Sequence, residues 1–222
     1  MSTSRNETNA GKTATGVARA IPVPARMPCG LTFAQGLLWF SDGALHRIAA
    51  VDPGTGDVVR VVPCPAVTTG LTTLSGNLVQ VVGREHSLCV IDPDGGSEPE
   101  QLPNPRPGHE LCGIEAGPAG IWMGYEDLRV LDLRSSHGLE LLDSIPVRGK
   151  VAGVTIAGEH VAYADHEAAR IGLVDPETRV ESASIEVDGN PTGLTWDGTR
   201  LWYCDFTSLQ LRAVEAPQLA VA

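Results

Sequence analysis

Apolar residues in this chain fall into short runs, broken at close and regular intervals by Gly, Pro, Asp and Asn. The runs are too short for helices, and no stretch carries a 3.6-residue period, so the pattern predicts strands. The runs also recur as a unit. It opens with a glycine and an aliphatic residue: Gly30-Leu31, Gly70-Leu71, Gly113-Ile114, Gly153-Val154 and Gly193-Leu194, at steps of 40, 43, 40 and 40 residues. A second run follows, often with an aromatic residue: Leu38-Trp39-Phe40, Leu78-Val79, Ile121-Trp122, Val161-Ala162-Tyr163 and Leu201-Trp202-Tyr203. A third ends near Asp52, Asp92, Asp132, Asp175 or Glu215. A fourth precedes the next glycine, as in Val58 to Val62, Leu139 to Val147 and Val180 to Val187. In the second unit it is weak, Glu98 to Leu102.

Four strands in about 40 residues, repeated, is the pattern of a β-propeller. The predicted fold class is therefore all-β, a five-bladed propeller with blades starting near residues 30, 70, 113, 153 and 193. Residues 16–222 form one domain, and residues 1–15 read as a disordered polar tail. The fifth unit lacks a good fourth strand at its C-terminal end. Ala20 to Pro24 precedes Gly30 as Val61 to Pro63 precedes Gly70, so the N-terminus is expected to supply the missing strand and close the ring. Prolines there fit an outer edge strand.

Composition narrows the function. The chain has 222 residues and a net charge of −11. An acidic surface repels phosphodiesters and anionic membranes, so neither nucleic acid nor a membrane is expected as a partner. No run of apolar residues is long enough to span a bilayer, and the N-terminus has no apolar signal core. The five cysteines are odd in number, widely spaced and without a CxxC pair, which suits reduced thiols in the cytoplasm. No P-loop, G-x-G-x-x-G or G-x-S-x-G is present, so no nucleotide cofactor is expected. A small-molecule substrate remains, with the oligomeric state open.

In a propeller the loops entering the first strand and the turns after the second share one mouth of the channel. Three residues before the glycines stand Met27, Val67, Glu110, Lys150 and Asn190. One before stand Cys29, Thr69, Cys112, Ala152 and Thr192. Two after stand Thr32, Thr72, Glu115, Thr155 and Thr195, where Glu115 breaks the rule. The turns after the second strands carry Asp42, Arg84-Glu85-His86, Tyr125-Glu126-Asp127, Asp165-His166-Glu167 and Asp205. Asp42 and Asp165 equally suit turn caps. His86 and His166 are candidate general bases with Glu115 as a further catalytic candidate, because imidazole titrates near neutrality. Arg84, His109, Tyr125, Lys150 and Asp165 are candidate substrate contacts.

The units Gly30-Leu31-Thr32-Phe33, Leu38-Trp39-Phe40-Ser41-Asp42-Gly43 and Pro191-Thr192-Gly193-Leu194-Thr195-Trp196 with Leu201-Trp202-Tyr203-Cys204-Asp205 resemble blades of a known superfamily. It holds the streptogramin lyases, the gluconolactonase and senescence-marker group, and NHL/YVTN-type repeat proteins. The resemblance is to a blade pattern over residues 17 to 216. It implies a divalent cation (Mg, Ca or Zn) at the mouth, held as in gluconolactonase-like members by Glu, Asn and Asp; the matching positions are Glu110, Asn190 and Asp205. The chain departs from those members in placing Thr192, not Asn, beside Gly193. It also lacks the His that streptogramin lyases carry before such a glycine. Five blades are shared with plant-type glutaminyl cyclases, whose N-terminal signature is absent.

Two functions follow. One is a small-molecule enzyme, a lyase or hydrolase, in which a metal or a carboxylate–His pair at the mouth moves a proton. The other is a non-catalytic module binding a protein or a small, cationic ligand.

Overall fold

A computed structural model describes residues 12–14, 17–216 and 219. The described chain opens with β1 (Lys12–Ala14) and β2 (Val17–Pro22). Blade one is β3 (Pro28–Ala34), β4 (Leu37–Asp42), β5 (Arg47–Val51) and β6 (Val58–Pro63). Blade two is β7 (Val67–Leu74), β8 (Asn77–Val82), β9 (Ser87–Ile91) and β10 (Glu100–Leu102). Blade three is β11 (Leu111–Gly117), β12 (Gly120–Tyr125), β13 (Val130–Arg134) and β14 (Leu141–Pro146). Blade four holds β15 (Val151–Ala157), β16 (His160–Asp165), β17 (Arg170–Asp175) and β18 (Val180–Glu186). Blade five is β19 (Pro191–Trp196), β20 (Arg200–Asp205), β21 (Gln210–Glu215) and, outermost, β2.

This is the five-bladed, all-β propeller that the repeat predicts, and the N-terminus closes it. β2 pairs antiparallel with β21, Ile21 opposite Leu211 and Pro22 opposite Gln210. Pro22 thus lies on an outer edge, where a missing N–H is tolerated. Within the expected polar tail, Lys12–Ala14 instead pair parallel with β18 as a fifth strand on blade four. An open strand edge offers unpaired N–H and C=O groups that such a segment takes up. Residues 1–11 and 15 of that tail lie outside the described residues. Among the described residues no helix is long and apolar enough to cross a membrane.

The repeating glycine has a steric cause. None of the five has a positive φ, so backbone conformation does not demand glycine there. Space does. A Cβ on Gly30 would lie 2.6 Å from the carbonyl oxygen of Thr69, and one on Gly70 2.9 Å from that of Cys112. Gly153 abuts the Thr192 carbonyl and Gly193 that of Cys29 in the same way. Each innermost strand therefore touches the backbone of the next, around the whole ring.

The inner strands share a second feature. Their pairing with the second strand breaks register between Pro28 and Leu31, Val67 and Leu71, Leu111 and Gly113, Val151 and Gly153, and Pro191 and Leu194. Such bulges bend a strand and re-aim a side chain. In all five blades the residue before the glycine falls inside the break.

The core lies between blades. The residue at the centre of each second strand pairs with the position two after the glycine: Trp39, Val79, Trp122, Ala162 and Trp202. Each packs toward the following blade; Trp39 lies with Val67 and Leu71, Trp122 with Val151 and Val154, and Trp202 with Leu31 and Phe40.

The glycine contact can be measured. Gly30→Ala is expected to cost roughly 1–3 kcal/mol, as overpacked cores do. Urea unfolding reads it, and an unchanged midpoint would show that the inner strands have room to separate.

Candidate functional site

A cavity of about 210 Å³ opens at the mouth where the inner strands begin. Its floor is the complete ring of bulged residues, Cys29, Thr69, Cys112, Ala152 and Thr192. The bulges turn these five toward the axis although they come from five separate blades. The hydroxyls are already committed to holding blades together. Thr69 Oγ1 donates to Leu111 O at 2.9 Å, and Thr192 Oγ1 donates to Pro28 O at 3.1 Å. Cys29 Sγ lies 3.3 Å from Ser41 Oγ.

The wall comes from one column of the repeat. Glu126, His166 and Phe206 line the cavity, and each is the first residue after its blade's second strand. Blades one and two carry Gly43 and Gly83 there. At Gly43 the space is taken by Met27, whose Cε sits where a Cβ would be.

Glu126 and His166 are the wall's reactive groups. Glu126 Oε2 accepts the Cys112 thiol at 3.6 Å, and Glu126 Oε1 lies 3.7 Å from Lys150 Nζ. Lys150 also pairs with Glu167 at 2.6 Å, so one ammonium spans the loops of two blades. Burial first, then the Glu126 carboxylate, pushes the Cys112 thiol well above its ordinary range. Cys112 is therefore a neutral thiol and a weak nucleophile, since the thiolate is the reactive form. His166 is half-buried, and its Nδ1 is buried with no hydrogen-bond partner. An imidazole nitrogen in that state is open to a ligand's proton or lone pair.

The other residues singled out in the sequence are placed elsewhere. Asp42, Asp165 and Asp205 cap turns. Asp42 accepts the N–H groups of Arg26, Met27, Ala44 and Leu45. Asp165 accepts that of Ala168 and pairs with Arg170, which withdraws it from substrate binding. His86 Nδ1 lies 2.8 Å from Leu111 O and braces the inner strand of blade three instead of facing the cavity. His109 pairs with Asp127 at 2.8 Å on the rim. Arg84 is exposed on the loop after β8. Tyr125 is wholly buried, donates to Asn104 Oδ1 at 3.2 Å, and is held by burial up to about 12; it is core, not a substrate contact.

The proposed cation ligands do not make a cation site. Asp205 Oδ1 accepts the N–H groups of Asn190 and Thr207, and Oδ2 accepts the Ser208 hydroxyl. The Arg212 guanidinium lies 3.4 Å from Oδ2, putting positive charge where a cation would sit. Burial opposes ionisation of Asp205, yet these donors hold it below the usual carboxylate range. Glu110 is exposed, its backbone tied to Asp127 and Glu126. Among the described residues no three His, Cys, Asp or Glu side chains gather as metal ligands.

Glu115 sits in the next ring down the inner strands. There Thr195 Oγ1 accepts Phe33 N–H, and Thr72 Oγ1 accepts Ala116 N–H while donating to Glu115 Oε2 at 3.2 Å. Part of Glu115 keeps some exposure, but protein encloses its carboxyl. Burial pushes it up to about 8 against the Thr72 hydrogen bond. Glu115 is thus a neutral acid at pH 7.

That proton makes stability depend on pH. The native protein holds it up to about pH 8, and an unfolded chain loses it near 4.5. Between those values the native state binds more protons, so stability falls as pH rises. Glu115→Gln is expected to remove that slope and gain more than about 1 kcal/mol relative to wild type between about pH 5 and about pH 8. Urea unfolding at both values measures it; parallel curves would show an already ionised carboxyl.

No protein-family profile matches the chain, and no curated protein matches it in sequence. Solved structures do match in fold. A glutaminyl cyclase from Myxococcus xanthus is 15% identical with a TM-score of 0.75, over 92% of this chain and 97% of that one. Regucalcin from Agrobacterium tumefaciens, described as a calcium-binding protein, is 13% identical with a TM-score of 0.63, over 92% and 97%. A catalytically inactive virginiamycin B lyase from Staphylococcus aureus, with quinupristin, is 17% identical with a TM-score of 0.55, over 88% and 68%. The likeness to glutaminyl cyclase, regucalcin and streptogramin B lyase is one of propeller architecture.

Proposed function

We propose that the chain is a small-molecule enzyme of the lyase or hydrolase type, acting at the channel mouth by proton transfer between its substrate and the His166–Glu126 pair. The observation that carries this reading is the shared cavity. An imidazole with a buried, unpartnered nitrogen and a carboxylate held by one long ammonium contact and one thiol donor line the same small space. Concave sites with a few convergent polar groups are where ligands bind. A positioned base beside a group that orients the substrate is what proton removal in elimination or hydrolysis needs.

His166 takes the proton, because Nδ1 has no competing partner. Glu126 orients the substrate's polar group, with Lys150 limiting its movement and Cys112 donating to its second oxygen. Phe206 and Met27 supply the apolar contacts. The small volume and the acidic surface favour a compact, neutral or cationic substrate over a polyanion, which also keeps nucleic acid outside the reading. The propeller neighbours suggest where to begin a substrate search, since glutaminyl cyclase and streptogramin B lyase both act through this architecture.

The test is turnover of N-terminal glutaminyl peptides, streptogramin B depsipeptides and sugar lactones by purified protein. For any substrate turned over, His166→Asn and Glu126→Gln are each expected to lower kcat by roughly 100-fold or more. Turnover unchanged in both variants would place the chemistry elsewhere. Saturable binding at the mouth with no turnover would make the protein a binding module.

A further inference from the structure

A second, larger cavity lies away from the mouth, between blades two and three. Its volume is about 390 Å³, within the range of small-molecule sites. Leu74, Val79, Leu88, Leu102 and Ile121 line it with Arg134. The repeat explains why it is there. Three blades fill the space before the following blade with a tryptophan: Trp39, Trp122 and Trp202. Blade four has Ala162 instead, and Leu219 packs into the same cluster, buried. Blade two has Val79, and its outermost strand β10 has three residues, so little covers the gap.

The cavity's polar wall carries a charge imbalance. Arg134 is 6% exposed; its Nη2 donates to Asp132 Oδ2 at 2.8 Å and its Nη1 to Leu139 O at 2.9 Å. Its Nε is buried with no partner. Arg106 also donates to Asp132, at 2.7 and 2.9 Å. Among the described residues both guanidiniums pair with Asp132 and with no other carboxylate. Burial works against ionisation of Asp132, but Arg106, Ser144 and Arg134 hold its carboxyl below the usual range. Two guanidiniums therefore share one anion; Arg106, its side chain 28% exposed, reaches water, whereas Arg134, its side chain 7% exposed, lines the aliphatic chamber. A buried charge left without a counterion is costly.

We propose that this chamber is a binding site for a small amphipathic anion, a medium-chain carboxylate whose apolar chain lies among Val79, Leu88 and Ile121 and whose carboxylate balances the surplus charge at Arg134. The apolar chain explains the aliphatic lining, and the carboxylate takes the unsatisfied N–H. The site is independent of the mouth and of the reaction proposed there.

Octanoate and 1-octanol, titrated into the full-length protein by calorimetry, test it. Octanoate is expected to bind with one-to-one stoichiometry and at least tenfold more tightly than 1-octanol. Val79→Trp, which restores the residue of blades one, three and five, is expected to abolish binding. Ser136→Trp, an exposed substitution at the cavity's edge, tests the same point should Val79→Trp not fold, and is expected to weaken binding at least tenfold. Chemical-shift changes in the methyl groups of Leu74, Val90 and Ile121 would locate the ligand. Absence of octanoate binding, equal affinity for the alcohol, or wild-type binding by a folded tryptophan variant would each overturn the proposal.

Discussion

The inner strands of this propeller meet backbone to backbone. At five places around the axis an inner strand rests against its neighbour with no side chain between them, at Gly30, Gly70, Gly113, Gly153 and Gly193. A ring of five blades must be narrow at its centre, and glycine lets the strands approach that far. The register breaks beside these glycines follow from the same crowding. They turn the preceding residue out of the sheet and toward the mouth, so the cavity floor is a by-product of ring closure.

Function in a repeat protein arises where the repeat is broken. The column after the second strand reads Gly43, Gly83, Glu126, His166, Phe206, and its last three members line the wall of the mouth. The column at the centre of the second strand reads Trp39, Val79, Trp122, Ala162, Trp202, and its second member opens the chamber between blades two and three. Both cavities lie where the blades differ from one another at one position of the repeat. A protein interior has few voids of its own accord, because close packing is what stabilises it. A gap that one more tryptophan would fill is thus informative.

The buried polar groups divide into two kinds. Asp42, Asp165, Asp205 and Asp132 are saturated by N–H groups and guanidiniums, and they hold turns and blades in place. Arg47 Nε, Gln80 Oε1, Thr155 Oγ1, His166 Nδ1 and Arg134 Nε are buried and unsatisfied, and of these residues His166 and Arg134 line the two cavities described above. Buried polar atoms without partners are uncommon in native proteins. At His166 and Arg134 the ligands proposed above would supply the missing partners.

The order of strands, the number of blades and the closure by Ile21 and Pro22 were legible in the residues themselves, because hydrophobic alternation and turn chemistry are local. His166, a titratable residue in a turn at the mouth, does line the cavity there. Glu126 stands in the same turn, one position after Tyr125, which takes the place that Asp42, Asp165 and Asp205 hold in their blades. In a strand one position reverses the direction of a side chain. Asp165 and Asp205 therefore cap turns while His166 and Phe206 face the cavity. What occupies each carboxylate was decided by the fold. Arg212 reaches Asp205 from the neighbouring strand of the same blade, and Lys150 reaches across blades to Glu126 as well as to Glu167. Sequence alone determined the wedge and its repetition; tertiary structure decided which departures from the repeat meet, because only ring closure makes neighbours of residues from five separate blades.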